Sequence, residues 1–305
     1  MIRLALIASV FALAPAWASE PVGLLSRVSG SVQIVRAGQR AAAAARTAEL
    51  VFAGDRLTTE RGSEAVVLFC PQSKSVTLTA GSELVFEPAA LRVTRGKLSG
   101  ERLVGSCRLP TSIALAAASR QQSGMMRLRG PNLLLRAPSR SAVATLRPHF
   151  YWDPVDNARG YDIRVMNREE RILWRDTVTS TEAPYPEGAP ALEWGQKYWW
   201  RVAARDGEDT LGEVGSWFQI LPAGQADSVR STEADLRRLL DENPADNGPR
   251  FLLAFLYDEN GILHEAARTY GDLAERMGAH GWVQTRLTEL MNQLGWDSPD
   301  RRPGP

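Results

Sequence analysis

The sequence is poor in the side chains that most often carry out catalysis. Its 305 residues include only three histidines and two cysteines. None of the histidines lies in a sequence context that supplies a serine or cysteine nucleophile, such as a strained Gly-x-Ser-x-Gly turn. Glycine-rich phosphate-binding loops are also absent from the sequence. We therefore predict that the protein is not an enzyme and has no catalytic residue.

Metal ligands are equally scarce. No histidine lies near the two cysteines, and the acidic run from Asp206 to Asp209 lacks the order and the final Glu of a twelve-residue calcium loop. This run is more typical of a hairpin turn. Adjacent acids such as Glu169 and Glu170 diverge on a strand or a helix, so they do not converge on one ion. We expect neither a metal ion nor a cofactor.

Long apolar runs are missing, except for a short one at the amino terminus. Arg3 is followed by apolar residues from Leu4 to Ala14 and then by Ala16-Trp17-Ala18, which is the plan of a cleavable secretory signal. No later segment approaches the roughly 18 apolar residues that a membrane helix needs. We expect a signal peptide at 1–18, a periplasmic location and no membrane span in the mature chain.

Charge of either sign is nearly balanced, with a formal net charge of +1. Nothing in this balance indicates binding to nucleic acid. The exception is a strip between Arg92 and Arg147 that contains many arginines and one acid, Glu101. Such a strip can meet an anionic polymer or an acidic partner, or it can be an ordinary solvated surface.

The two cysteines are Cys70 and Cys107. An even number of cysteines in an exported chain indicates a disulfide. Closing a loop of this length would stabilise the fold by up to roughly 4 kcal/mol in the chain-entropy model. Two free buried thiols are the alternative.

Short apolar runs with a period of two fill the chain from Val22 to Leu109, which predicts an all-β module. Four patterns stand out in it: Leu24-x-x-Arg27-Val28-x-Gly30-x-Val32, Gly54-Asp55-x-Leu57-x-Thr59, Gly62-Ser63-x-Ala65 and Gly81-Ser82-x-Leu84. Together they resemble the periplasmic domain of the FecR family, and we assign them to a domain at 19–120. The family's usual Asp-Gly turn is replaced by Phe69-Cys70-Pro71-Gln72-Ser73, which suggests a turn remodelled around the disulfide.

A second β pattern follows a linker with leading strands at 121–145. Its main features are an early Trp and two later strands: Trp152, Tyr161-x-Ile163-x-Val165 and Tyr198-x-Trp200-x-Val202. Their order resembles a fibronectin type III sandwich, and we place this domain at 146–222.

Alternation along the last of these strands points Tyr198 and Trp200 to one face and Trp199 and Arg201 to the other. With Trp174, these two outer residues would form an aromatic platform for a sugar ring or a peptide. Packing under a loop or against a neighbouring module is the alternative for Trp199.

The apolar period changes to that of helices after Pro222, and four helices are expected within 223–297. The residues at packing positions of the middle pair resemble one tetratricopeptide repeat: Leu253, Ala254, Tyr257, Gly261, Ala266 and Tyr270. A generic α-hairpin is the alternative. We expect residues 298–305 to be a disordered tail.

In the tetratricopeptide register, Phe251, Phe255, Asp258 and Glu259 would line a concave groove. Two aromatic rings four residues apart lie side by side on a helix, with the acids just beyond them. Such a groove suits a peptide with an apolar anchor and a basic residue. Burial of both Phe side chains against the fourth helix is the competing interpretation.

The predicted fold class is therefore multidomain, with two all-β modules followed by a small all-α helical-hairpin domain. We expect a non-enzymatic binding or scaffold protein of the bacterial periplasm that recognises an envelope polymer or an envelope protein. A FecR-like component of a signalling system is the second hypothesis, although the chain has no cytoplasmic anti-sigma segment. An enzyme with a site assembled between modules is the third. No oligomeric state is predicted.

Overall fold

A computed structural model describes residues 20–104, 107, 109, 133–278 and 281–296. The predicted signal peptide, much of the predicted linker and the predicted tail lie outside the described residues. Two β units followed by four helices make up the described chain, which confirms the predicted fold class. The exact domain boundaries stay predictions.

The first β unit comprises two five-stranded sheets. Its strands are β1 (Pro21–Ser29), β2 (Val32–Val35), β3 (Ala42–Ala44), β4 (Leu50–Phe52), β5 (Arg56–Thr59), β6 (Glu64–Phe69), β7 (Lys74–Leu78), β8 (Glu83–Phe86), β9 (Leu91–Arg95) and β10 (Leu98–Leu103). The strand orders are β10-β7-β6-β1-β4 and β3-β2-β5-β8-β9, and the pairs within them are antiparallel. Side chains such as Leu25, Leu57 and Phe69 fill the core between the sheets.

One of these sheets is buried on both faces. Leu25 and Val67 point into the sandwich core, whereas their neighbours Leu24 and Leu68 belong to the core of the helices. Consecutive side chains on a strand point to opposite faces, so β1 and β6 are apolar on each side. The first β unit therefore packs on the helices through a continuous apolar surface.

The predicted disulfide is confirmed. Cys70 is bonded to Cys107, with a Cα–Cα distance of 4.8 Å. Cys70 opens a single 3-10 turn, Cys70–Gln72, and Ser73 then adopts a left-handed backbone with φ 46°. The bond ties the chain after β10 to the turn between β6 and β7.

The second β unit is a sandwich of a three-stranded and a five-stranded sheet. Its strands are β11 (Leu135–Ala137), β12 (Ser141–Val143), β13 (His149–Trp152), β14 (Gly160–Met166), β15 (Ile172–Val178), β16 (Glu182–Pro184), β17 (Lys197–Asp206) and β18 (Asp209–Ile220). The orders are β11-β13-β16 and β12-β18-β17-β14-β15. Only the β12–β18 pair is parallel among these pairs.

The core of this sandwich has the features of a fibronectin or immunoglobulin-type fold. Trp200 is fully buried against Phe150, and its indole Nε1 donates a hydrogen bond to the Pro138 carbonyl at 2.6 Å. Tyr198 lies at the start of β17, and its hydroxyl accepts a hydrogen bond from the Glu193 amide at 2.9 Å. A tyrosine at that corner, bonded a few residues upstream, is typical of these sandwiches.

The helical unit contains four helices in the described residues. They are α1 (Ala223–Glu242), α2 (Gly248–Glu259), α3 (Leu263–Met277) and α4 (Gly281–Leu294). Each packs on the next one in the chain. No helix among the described residues combines the length and the hydropathy that crossing a membrane requires.

The helices contact both β units. Trp282 of α4 donates a hydrogen bond from Nε1 to the Ala48 carbonyl of the first β unit, at 2.6 Å. The Ala142 amide in the second β unit donates to the Gly261 carbonyl at 2.8 Å, and Trp296 Nε1 donates to the Leu135 carbonyl at 3.2 Å. The helical unit therefore joins the two sandwiches.

Candidate functional site

The outer face of the five-stranded sheet in the second β unit carries a row of large apolar side chains. Trp199 on β17 lies directly opposite Trp217 on β18 and Met166 on β14, and Met166 lies opposite Ile172 on β15. Both tryptophans are half-buried, and Ile172 is 45% exposed. We call Met166, Ile172, Trp199 and Trp217 the tryptophan row.

A lysine lies over this row. Lys197 precedes Trp199 by two residues on the same strand, so both side chains emerge on the same face. Its Nζ is 3.7 Å from the centroid of the Trp217 ring and 5.7 Å from that of Trp199. This ammonium group and the two indole rings form a cation–π contact at the surface.

Three arginines form the next row across the same sheet. Arg164 on β14 is directly opposite both Arg175 on β15 and Arg201 on β17. Like charges directly opposite each other destabilise a sheet. Glu213 offsets part of this repulsion, because its Oε1 lies 2.5 Å from Arg164 Nη2 and 3.3 Å from Arg201 Nη1. We call Arg164, Arg175 and Arg201 the arginine row.

A glycine leaves room for this arrangement. Gly215 on β18 is the residue opposite Arg201. A Cβ atom at position 215 would lie 2.9 Å from Arg201 Cγ and 3.3 Å from the Trp200 carbonyl oxygen. Any larger residue would therefore push the aliphatic part of Arg201 out of its place on the sheet.

Beyond the arginine row lies a compensated ion pair. Arg205 Nε contacts Asp162 at 2.7 Å, and the Thr177 hydroxyl donates to the same carboxylate at 2.8 Å. Burial alone would raise the pKa of Asp162, but the hydrogen bonds from Thr177 and Arg205 outweigh it and lower this pKa. Asp162 is thus held as a carboxylate, and its negative charge balances the positive charge of Arg205.

A surface groove of about 1200 Å³ is lined by the tryptophan row, Arg164 and Arg201, whereas Arg175 lines the groove beside it. Arg140, Arg168, Glu170 and Glu213 also line the larger groove. Arg140 donates to the Gln293 carbonyl at 3.5 Å, so one side of the groove adjoins the end of the helical unit. Aromatic and cationic side chains thus share this groove with two carboxylates, Glu170 and Glu213.

The structure brings together only part of the predicted platform. Trp199 and Arg201 lie on the outer face, as strand parity predicted. Placing Trp174 beside them was wrong, because Trp174 is opposite the core residue Val165 and stacks on Phe150 at 6.0 Å. A register shift between Val165 and Met166 lets Ile172, instead of Trp174, reach the outer face.

The predicted groove on the second helix is also incorrect. Phe251 and Phe255 of α2 are 0% and 1% exposed. Their ring centroids lie 5.9 Å and 6.1 Å from that of Trp282, which belongs to the fourth helix. The competing interpretation, burial against that helix, is therefore the one that the structure shows.

The two acids beside these rings differ from each other. Asp258 accepts hydrogen bonds from Arg286 Nη2 at 2.6 Å and Arg286 Nε at 2.8 Å, and its side chain is only 4% exposed. Expecting Asp258 to be a surface charge was wrong. Glu259 is exposed and lies beside Cys107 and Leu109.

The arginine-rich strip does not form a single open surface in the described residues. Arg136 binds Asp153, with its Nε 2.6 Å from Oδ1, and Arg147 donates to the carbonyls of Glu187 and Ala189. Arg92 pairs with the Glu87 carboxylate at 2.6 Å. Four further members lie outside the described residues: Arg108, Arg120, Arg127 and Arg129.

A serine and a histidine meet where the second β unit contacts the helices. Ser141 Oγ is 2.9 Å from His264 Nδ1, and it accepts a hydrogen bond from the Leu263 amide at 2.9 Å. Ser141 is 1% exposed, so a substrate has no access to its hydroxyl group. Burial lowers the pKa of His264. We assign this pair to the attachment of the helices.

Metal-ligating side chains are dispersed in the described part of the chain. No three His, Cys, Asp or Glu side chains among those residues gather in a way that would hold an ion. The polar groups that this groove offers a ligand include guanidinium groups, two carboxylates, the Asn167 amide and the Ser216 hydroxyl.

Sequence reasoning missed several residues of this face, namely Lys197, Trp217, Arg164, Arg175 and Met166. Each is at an outward position of a strand, so the period-two pattern contains the signal. What the pattern lacks is the identity of the neighbouring strands, which decides which outward residues form a row.

Comparison with known proteins gives distant matches among solved structures. No family model matches the chain, and neither does any curated protein. Matching solved structures include the fn3 domain of the human collagen alpha-1(XX) chain, with 22% identity over 33% of this chain and 93% of that chain and a TM-score of 0.23. CopC from Methylosinus trichosporium OB3b has 16% identity over 30% of this chain and 94% of its own, with a TM-score of 0.22.

A third match is the FN1–FN3 segment of chicken CNTN1, with 11% identity, a TM-score of 0.23 and coverage of 68% of this chain and 59% of that chain. The fibronectin-like description of the second β unit rests on its own sheet order and on the Tyr198 corner.

Proposed function

We propose that the protein is an exported, non-enzymatic binding protein of the bacterial periplasm, and that the outer face of its second β unit binds an envelope polymer. The observation that supports this most is the tryptophan row. Two indole rings lie side by side on the outer face of a sheet, where they remain partly exposed to solvent outside the core.

The position of the row favours binding. Trp199 and Trp217 are on β17 and β18, which pair along ten residue pairs from Lys197 to Asp206. A site built on paired strands holds its side chains more accurately than a loop does. Flat aromatic faces at fixed spacing suit the rings of a polysaccharide, and the neighbouring cations add polar contacts.

The remaining parts of the proposal come from the sequence. A signal peptide at 1–18 would direct the chain to the periplasm, an oxidising compartment in which the Cys70–Cys107 bond is stable. In this proposal the first β unit is FecR-like and the helical unit is tetratricopeptide-like. The helices serve to join the two β units, because their aromatic residues are buried within the molecule.

The experiment is co-sedimentation of the mature protein with purified peptidoglycan. We expect Trp199→Ala combined with Trp217→Ala to reduce the bound fraction at least fivefold. The matched control is Val93→Ala with Leu103→Ala, which removes exposed apolar side chains from the first β unit. Equal sedimentation of the two double variants would overturn the proposed site. If the tryptophan row instead captures a single envelope protein, the ligand is a protein and not a polymer.

A further inference from the structure

We propose that the ligand of this face is a carboxylate-bearing polysaccharide, bound by the arginine row through its carboxylates and by the tryptophan row through its sugar rings. The inference rests on the proposed function and makes it more specific. It predicts that the protein binds a negatively charged polymer more tightly than a neutral one. The tryptophan row alone would not produce this preference.

The outer face carries more positive than negative side chains. The arginine row has three positive groups, and Glu213 is the carboxylate that contacts two of them. Among the described residues, no carboxylate oxygen lies within 4 Å of a guanidinium nitrogen of Arg175 or Arg168. The ammonium group of Lys197 lies over the rings of Trp217 and Trp199. The face thus has a surplus of cations.

The arginines of this face lie directly opposite one another on neighbouring strands. Arg164 has an arginine opposite it on each neighbouring strand. This arrangement costs stability in the free protein. A sequence that breaks a local rule of sheet pairing usually does so at a functional site. A bound carboxylate would remove the repulsion and would accept paired hydrogen bonds from the planar guanidinium groups.

The sheet pairing of this face favours a polysaccharide over an acidic peptide. Strands β14 and β17 are each paired on both sides, so their backbone groups cannot accept an added peptide strand. The edge strand β15 has one unpaired side, but contacts at Trp199 and Arg201 on β17 must come from side chains. Trp199 and Arg201 are two residues apart, which is roughly 7 Å along a strand. One sugar ring can therefore stack on Trp199 while a carboxylate of the same chain reaches Arg201.

The experiment measures binding of the mature full-length protein to three probes in low salt. Polygalacturonate carries a carboxylate on each sugar, its fully methyl-esterified form has the same backbone without charge, and poly-L-glutamate has charge without sugar. We expect polygalacturonate to bind at least tenfold more tightly than either of the others. Raising the salt concentration should weaken its binding, because exposed charges are screened.

Two variants test the residues. Arg164→Gln with Arg201→Gln should weaken polygalacturonate binding at least tenfold and leave binding of the methyl ester unchanged. Arg92→Gln with Arg238→Gln, which makes the same change in net charge elsewhere, should have no effect. If the first double variant does not fold, as judged by circular dichroism, Arg175→Gln alone provides the test, with at least a threefold loss expected.

Equal affinity for polygalacturonate and its methyl ester, or no effect of the arginine substitutions, would overturn the inference and leave the proposed polymer binding intact. Poly-L-glutamate binding as tightly as polygalacturonate would also overturn it, since charge alone would then suffice. If peptidoglycan sedimentation is insensitive to the tryptophan substitutions, the proposed function itself fails.

Discussion

Replacing Asp258 by Asn should destabilise the helical unit strongly. The substitution keeps the shape of the side chain but removes the charge that faces Arg286. The carboxylate is 4% exposed and the guanidinium 13% exposed, and two contacts of 2.6 Å and 2.8 Å join them. Breaking one side of a buried pair leaves an uncompensated charge, which costs about 3–5 kcal/mol.

Other groups at this site do not replace the lost carboxylate. Glu289 contacts Arg286 at 2.8 Å but is 33% exposed, and the Tyr270 hydroxyl lies 3.4 Å from Asp258. An arginine side chain stays protonated at any ordinary pH, so the guanidinium of Arg286 remains charged after the substitution. Replacing both partners with apolar residues, as in Asp258→Leu with Arg286→Met, should restore much of the loss.

The assay is unfolding in urea and by heat. The control is Asp235→Asn, which breaks an ion pair of 3.0 Å with Arg238. The side chain of Asp235 is 61% exposed and that of Arg238 is 68% exposed. An exposed pair contributes about 0.2–1 kcal/mol. We expect Asp258→Asn to lower the melting temperature by at least about 6 °C and the control by about 3 °C or less. Equal shifts for the two variants would refute the buried ion pair.

Three further predictions concern stability. Trp200→Ala should lower the free energy of unfolding by about 3–5 kcal/mol as a core deletion, whereas Trp199→Ala should cost less than about 1 kcal/mol in the same urea titration. Replacing Cys70 and Cys107 by Ser should cost up to about 4 kcal/mol, and labelling of free thiols in the unreduced wild type would contradict the bond. Burial lowers the pKa of His264 below the ordinary value of 6.5, so below pH 6.5 the unfolded chain binds a proton more readily than the folded protein. The contribution of His264 to the free energy of unfolding should therefore be fully present above that pH and fall as the pH drops below it. His264→Gln should flatten this part of a plot of the urea midpoint against pH.

The second β unit was the most predictable part of the chain. Alternation along Tyr198-Trp199-Trp200-Arg201 places two residues on each face, and the structure does the same. No such pattern supported Trp174, which lies opposite the core residue Val165. A register shift beyond that pair moves Ile172 to the outer face. A single strand read by itself does not reveal such a shift.

Burial of the first β unit against the helices was less apparent. The run Ala65-Val66-Val67-Leu68-Phe69 is apolar at every position, which is typical of a strand covered on both faces. Its alternate residues taken alone predict the core of the sandwich. They do not predict the second buried surface, where Leu68 packs in the core of the helices.

The helices show a different limit. Helical periodicity predicts the presence of four helices, but it does not say which side of α2 meets α4. The aromatic side chains of α2 were open to two interpretations, and the position of Trp282 on α4 decides between them. Likewise, the pairing of Asp258 with Arg286 joins residues 28 positions apart, and no local pattern indicates it.

Hydroxyl-radical footprinting tests most directly whether the outer face of the second β unit is the binding surface. The mature protein would be oxidised by hydroxyl radicals with and without peptidoglycan, and modification of each tryptophan would be read by mass spectrometry. We predict protection of Trp199 and Trp217 on binding, with Trp174 and Trp282 unchanged. Bound protein in which Trp199 and Trp217 are oxidised as fast as in the free protein would contradict the claim.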